Sequence, residues 1–480
     1  MDFPRSLSRF GAALVILLGS ACGIAQPDFL AGAKPIAAAP PDPAISQALQ
    51  AIQPANIEQT IKMLVGFGTR STLSSMETDL PPGQGINAAA DWIAAQFEQI
   101  GHDCGGCLEV HRDTFTEPAA GRIPQPTTIT NIYAILRGAD PSQAKRMVLV
   151  TGHYDSRNTN VLDARGAAPG ANDDASGVAV SLECARALSK LHLPSTVVFV
   201  AVAGEEQGLN GSSHLAKLAH SEGWQLEAVL NNDIVGGNTT PGDTLQLKDR
   251  VRVFSEGVPT AATPEQARRI RALGEENDSP SRELTRAIAD TARTYFPAAS
   301  GAPFAPFLVF RPDRYLRGGD HTSFNREGFA AVRFTEWRED FNHQHQNIVI
   351  PPAGSNDPIL GDMIQFVDFN YVANVARLNA ATLATLASSP GQPANVTIVT
   401  KNLDNGTTLH WDPPAGANAG IHYELLWRET TAPDWQFAQI VAPQPNAGPV
   451  TVTVPISKDN VIFAVRAIDA ASHRGLPVVP

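Results

Sequence analysis

Two apolar runs, Arg146–Val150 and Thr196–Ala203, constrain what this chain can become more than anything else in it. Both are short, rich in β-branched residues and apolar at consecutive positions, the pattern of strands buried on both faces of a parallel sheet. With the helix pattern Ala175–Leu191 between them, they imply an α/β fold, a mostly parallel central sheet flanked by helices. Ligands in such sheets bind at the carboxyl ends of the strands. The first run leads into Thr151-Gly-His-Tyr-Asp-Ser156 and the second into Gly204-Glu-Glu-Gln-Gly208. A third polar cluster, Asn172-Asp-Asp-Ala-Ser-Gly177, opens the helix pattern. Histidine, aspartate and glutamate therefore collect where the fold would place a site.

The residue types point to a metal. His153 and Asp155 are two apart, so in an extended segment both project to one side. That suits an imidazole bound to metal through one nitrogen and held by a carboxylate at the other. Glu205 and Glu206 are adjacent, and their carboxylates can divide the work, one binding metal and the other handling a proton. Asp233, after the strand-like Leu226–Leu230, and the pair His343 and His345 are further candidates. Carboxylates and imidazoles together suit Zn²⁺, which makes water acidic near neutral pH. Taken singly, a Glu-Glu pair is a solvated helix start and Asn-Asp-Asp-Ala-Ser-Gly an N-cap. All three clusters in order, each at a strand end, favour a metal site.

These residues resemble peptidase family M28, the zinc peptidases of the bacterial leucyl-aminopeptidase type. The matching blocks are Gly152-His-Tyr-Asp155, Gly170-Ala-Asn-Asp-Asp-Ala-Ser-Gly177, Glu205-Glu-Gln-Gly-Leu209, Asn232-Asp233, Gly319-Asp-His-Thr-Ser-Phe324 and His345. The likeness covers residues 57–387. M20 peptidases share His-x-Asp and Glu-Glu, but the Asn172–Gly177 block speaks for M28. The resemblance implies a zinc exopeptidase fold that removes N-terminal residues from peptide substrates. It implies two Zn²⁺ bridged by Asp173, one also held by His153 and Asp233, the other by Glu206 and His345. Glu205 would be the general base and Asp155 would stand behind His153. A cis peptide would join Asp173 to Asp174. Family members often place a Tyr just before the Asp-His of Asp320-His321 to polarise the scissile carbonyl. Here Tyr315 is one residue out of register, so Tyr315 and Arg317 both stand as candidates for that contact. His345 aligns better with the last ligand than His343, although Gln346 replaces the usual Thr.

Charge counting supports two ions. Asp173, Glu206 and Asp233 place three negative charges in one pocket beside Glu205, a cluster that without cations repels itself and takes up protons. Two Zn²⁺ offset it, whereas one leaves it negative.

The flanks differ in character. Arg5 and Arg9 precede the apolar run Phe10–Leu18 and a stretch of small residues, the form of a secretory signal covering 1–25. The run is too short for a bilayer span, so the mature, exported chain is expected to lack an integral membrane segment. Cys22 offers a lipoprotein alternative, against which Gly19 stands where a Leu is expected. Residues 26–44 are rich in Ala and Pro and read as an extended linker. The peptidase-like region is 45–388, with helix patterns at Asn56–Phe67, Asn87–Ile100 (Asn87 as cap), Thr263–Leu273, Ser281–Phe296 (Ser281 as cap) and Gly361–Leu386. Cys104-Gly-Gly-Cys107 reads as a small disulfide or two thiols, and Cys184 as a buried thiol.

From Gln392 the chain alternates polar and apolar residues at strand spacing, with Pro, Gly and Asn between. Residues 392–480 resemble a fibronectin type III module, a small all-β sandwich, although Val461 stands where its tyrosine corner belongs. It carries no catalytic cluster and reads as a spacer or as a module docking to a surface or another protein. A chain of 480 residues exceeds one typical core, in line with two domains. The net charge of −12 speaks against a nucleic-acid partner.

Two functional classes fit: a zinc aminopeptidase, and a non-catalytic binding protein that keeps the fold. The complete ligand set with Glu205 favours the enzyme. Within enzymes, a carboxypeptidase or other amide hydrolase of this fold is the alternative. A glutaminyl cyclase with a single zinc fits less well, because His153 and Asp233 are both present.

Overall fold

The computed structural model describes residues 26–30, 32–401, 403–417, 420–444 and 448–480. The expected signal sequence, with Cys22, lies outside them. Eight strands form one sheet: β1 (Leu108–Glu117), β2 (Thr127–Leu136), β3 (Arg146–His153), β4 (Thr196–Val202), β5 (Gln225–Asn232), β6 (Arg250–Ser255), β7 (Ala305–Val309) and β8 (Ala331–Thr335). Their order is β1-β2-β4-β3-β5-β8-β6-β7. The centre, β4-β3-β5-β8, is parallel, and β1, β2 and β6 each pair antiparallel toward the edges. The two runs that constrain the sequence are neighbours, in register from Met147 opposite Thr196 to His153 opposite Val202.

Every residue of β3 and β4 is buried, because apolar layers cover both faces. Alternation along the strand sorts the side chains. Val148 and Val150 join the larger core with helices α1 (Pro43–Leu49), α2 (Pro54–Gly66), α3 (Ile86–Asp103) and α4 (Ala175–Leu188). Met147 and Leu149 face Leu215 and Ala216 of the opposite layer. The remaining helices are α5 (Glu205–Gly208), α6 (Asn210–Ser221), α7 (Pro264–Leu273), α8 (Pro280–Tyr295), α9 (His321–Arg326) and α10 (Phe369–Ser388). No helix among the described residues is long and apolar enough to cross a membrane.

Helix α4 is packed between the sheet and α10 and is buried almost throughout. Its small residues allow that. A Cβ on Gly177 would lie 2.2 Å from the Asn232 carbonyl, and one on Gly152 would lie 2.5 Å from the Gly177 backbone. Glycine at these two positions lets the start of α4 touch the ends of β3 and β5, directly behind the polar clusters.

Several boundaries differ from the sequence expectations. Helix α3 starts at Ile86 after Gly85, so Asn87 is inside it. The cap of α8 is Ser279, whose hydroxyl accepts the Arg282 N–H at 3.2 Å. Ser281 is buried instead, accepting from Asn325 and from the Ala331 N–H. Helix α10 begins only at Phe369, capped by Asp368, because residues 364–366 turn more tightly. Cys104 and Cys107 form a disulfide and Cys184 is a buried thiol.

Beyond α10, strands β9 (Ala394–Ile398), β10 (Thr407–Asp412), β11 (His422–Glu429), β12 (Phe437–Val441), β13 (Val450–Val454) and β14 (Val461–Ile468) make two three-stranded sheets around Trp411, Tyr423 and Leu425. This sandwich is packed onto α8 through buried polar groups. Arg466 lies 2.9 Å from Asp290, Arg428 pairs with Asp278, and the Trp435 indole donates to Glu283 at 2.8 Å. In the Ala/Pro segment, Asp28–Leu30 form a short 3-10 helix, Pro43 and Ala44 already belong to α1, and the stretch before α1 runs along the sandwich. The Ile36 N–H donates to the Gln436 carbonyl and the Ala438 N–H to that of Lys34. The Trp427 indole donates to the Phe29 carbonyl at 3.0 Å, and the Asp28 carboxylate accepts the Ser457 N–H at 2.7 Å.

Candidate metal centre

The carboxyl ends of β3, β4 and β5 deliver His153, Glu205–Glu206 and Asp233 to one place, and the start of α4 brings Asp173 between them. Two groups of potential ligands result: His153, Asp173 and Asp233, and Asp173, Glu206 and His345. Asp173 belongs to both. Its Oδ1 is 3.1 Å from His153 Nε2, and its Oδ2 is 2.9 Å from His345 Nε2. Glu206 Oε1 is 3.0 Å from His345 Nε2, and Asp233 Oδ1 is 3.9 Å from His153 Nε2. The peptide between Asp173 and Asp174 is cis.

The donor set fits zinc. His153 Nε2 and Glu206 Oε1 are buried without a hydrogen bond of acceptable geometry, a state that is costly unless another partner takes them. Imidazole nitrogens with carboxylate oxygens are the donors zinc takes, and each group is open to further ligands.

Of the two histidines near the end of the region, the structure brings His345 to the site. His343 stacks on Phe366 with ring centres 3.6 Å apart. His345 has a left-handed backbone (φ 55°), as do Leu209 and Ile234 (φ 62° each). All three line the same cavity. Such conformations cost about 1–3 kcal/mol each and persist where surrounding structure imposes them.

The supporting groups are mostly buried. Asp155 Oδ1 lies 3.3 Å from His153 Nδ1, and its carbonyl 3.1 Å. The same carboxylate accepts the N–H groups of Glu205 and Glu206 at 3.3 and 3.2 Å and the Thr72 hydroxyl at 2.9 Å. Asp155 thus ties the β3 end to the start of α5. Asp174 accepts the His153 N–H at 3.0 Å and the Gly177 N–H at 2.9 Å. Arg70, buried, donates to the carbonyls of Leu64, Tyr154, Pro169 and Gly170 and holds the loop that leads into Asp173. Burial lowers its pKa to about 10, which leaves it charged. Thr72 and Arg70 carry no motif and were not legible in the sequence.

Glu205 stands in neither ligand group. Burial pushes its pKa well above the usual carboxylate range, and the charges of Asp233, Asp320 and Glu206 add to that against the opposing pull of His153. The cavity it faces has a volume of about 550 Å³. Arg317 lines it, whereas Tyr315 is 75% exposed and does not. A larger cavity, about 770 Å³, lies on the far side of Glu339 against Leu245, Trp337 and Phe341, and holds none of the ligand groups.

Two cations were missed as well. Arg157 Nε is 3.0 Å from Glu206 Oε2, and Arg333 Nη2 is 2.7 Å from Asp233 Oδ1. They offset part of the carboxylate charge, so counting charges does not by itself require two ions. The two ligand groups that share Asp173 are the observation that bears on how many ions the site could hold.

A model of peptidase family M28 matches residues 131–350. A probable zinc metalloprotease of Leptosphaeria maculans is 42% identical over 442 residues, covering 92% of this chain and 97% of that protein. One from Pyricularia oryzae is 44% identical over 453 residues, covering 93% and 86%. Among solved structures, the LapA aminopeptidase of Legionella pneumophila is similar at 19% identity, covering 72% of this chain and 74% of that one, with a TM-score of 0.48.

Proposed function

The chain belongs to peptidase family M28 as a zinc metallopeptidase, and from that premise we propose that it is an exported aminopeptidase with two zinc ions and Glu205 as its general base. The observation that carries this reading is the sharing of Asp173, one oxygen toward each ligand group. His153, Asp173 and Asp233 would hold one ion, and Asp173, Glu206 and His345 the other. When bound, zinc supplies Lewis acidity, polarising a carbonyl and acidifying water.

The chain's own residues do the rest. Asp155 orients the His153 ring from behind and holds the backbone of Glu205 and Glu206. The Glu205 carboxylate takes the proton of the water that attacks the amide carbonyl, and passes it to the departing amine nitrogen. Arg317, on the cavity wall, is a candidate for substrate contact. The leader-like residues 1–25 and the Cys104–Cys107 disulfide support export. The C-terminal sandwich is read as fibronectin type III-like, with no part in the chemistry.

Aminoacyl chromogenic amides with free and with acetylated N-termini test the reading. The free amides should be hydrolysed and the acetylated ones spared. Equal cleavage of both, or release of C-terminal residues only, would overturn the aminopeptidase assignment.

A further inference from the structure

The walls of the metal cavity carry four arginines, Arg122, Arg157, Arg314 and Arg317, in a chain whose net charge is −12. Four carboxylates share the cavity: Asp173, Glu205, Glu206 and Asp233. The arginines match these in number, and Asp313 and Glu339 pair with Arg314 from behind. Among the described residues, no other carboxylate lines the cavity.

The arginines differ in what they have to offer. Arg314 is engaged by Asp313, Glu339 and the Gly318 carbonyl. Arg317 gives one nitrogen to Glu339 at 3.3 Å and is a third exposed, which leaves donors facing outward. Arg122 is exposed and donates Nη1 to the Glu206 carbonyl at 2.8 Å, with no carboxylate partner among the described residues. Arg157 Nη2 lies 2.7 Å from His345 Nδ1, where a guanidinium can only donate.

We propose that this arginine wall recognises a carboxylate of the substrate, so that the preferred substrates are short anionic peptides rather than neutral ones. The inference rests on the reading of this cavity as the site of amide hydrolysis. Guanidinium groups match carboxylate oxygens in geometry as well as charge.

The carboxylate can come from the peptide C-terminus or from an acidic side chain, and four ligands separate the two: Leu-Ala, Leu-Ala amide, Leu-Glu amide and Leu-Gln amide. Calorimetric titration of the zinc-loaded full-length Glu205→Gln variant reads binding without turnover. Leu-Ala over its amide, or Leu-Glu amide over Leu-Gln amide, should bind about tenfold tighter, the size of one charge-assisted hydrogen bond. The ratio should fall toward one in the Arg122→Gln, Arg317→Gln double variant. Equal affinity for all four peptides overturns the proposal. So does a preference that persists undiminished in the double variant, since the carboxylate then sits on the metal. If the wild type cleaves all four peptides at the same kcat/KM, only this inference falls. If it cleaves none, the reading beneath falls too.

Discussion

Asp362 holds Asp173 by its backbone: Asp362 Oδ2 accepts the Asp173 N–H at 2.7 Å, while Oδ1 takes the N–H of Asn172 at 2.8 Å. The residue shared by both ligand groups is thus fixed by a carboxylate remote in sequence. Replacing Asp362 by Ala should weaken zinc binding about 10–100-fold, the usual effect of removing a group that orients a ligand. Asp173→Ala should lose both ions, whereas His345→Ala should chiefly weaken one. Elemental analysis after dialysis against graded chelator distinguishes them, and a wild-type content of one zinc per active chain would refute the dinuclear reading.

Glu205→Gln keeps the shape of the side chain but cannot accept a proton. A loss in kcat of about 10²–10⁴-fold is expected, the range for a positioned acid–base group, with zinc content unchanged. Retention of most of the kcat would remove Glu205 from the role of base.

Arg466 sits between Glu424 at 2.6 Å and Asp290 at 2.9 Å, almost fully buried where the sandwich meets α8. Arg466→Ala leaves two buried carboxylates short of a partner and should cost about 3–5 kcal/mol of stability. No residue of this cluster lines the metal cavity, so kcat on small amides should not change below the unfolding temperature. A chain cut after Ser389 strips Asp290 of Arg466 and Arg474 and leaves Asp278 and Glu283 to Arg286, and is expected to melt early and become protease-sensitive. A cut chain as stable as the whole would make the sandwich the spacer that its sequence suggests.

Glu339 is 5% exposed among Arg252, Arg314 and Arg317. Burial raises its pKa, but Arg314, Arg333, Arg252 and Arg317 overcome this and hold it at about 2, below the ordinary 4.5. A carboxyl lowered in the folded state adds stability that is complete above its unfolded pKa and lost as pH falls toward the folded one. The contribution is on the order of 3 kcal/mol at neutral pH. Urea unfolding should therefore show wild type well above Glu339→Gln at pH 7, with the gap closing between pH 4.5 and about 2. A gap independent of pH would contradict this.

Much of the molecule was legible in the chain itself. A run such as Thr196–Val202, apolar at every position, has one stable place in an α/β fold, and residues that follow such a run emerge at the end of the sheet. His153, Asp173, Glu205, Glu206 and Asp233 therefore stood out as candidates, because each stands within a few residues of a strand end or helix start. His345 was harder, since it lies in a loop, has a left-handed backbone and is two residues from another histidine. What tertiary structure alone decided is everything held by contact between distant segments. Asp362 under Asp173, Thr72 under Asp155 and Arg70 beneath the 154–170 loop have no periodicity or motif to mark them, because a hydrogen bond to a backbone group asks only for a donor or acceptor in the right place. The binding of residues 26–42 to the sandwich and of the sandwich to α8 is of the same kind. An Ala/Pro-rich segment reads as linker wherever it occurs, and the edge of β12 together with Trp427 and the Ser457 N–H turned this one into a strap. Local pattern settles which face of an element is apolar, whereas the choice of partner depends on where the rest of the chain lies after folding.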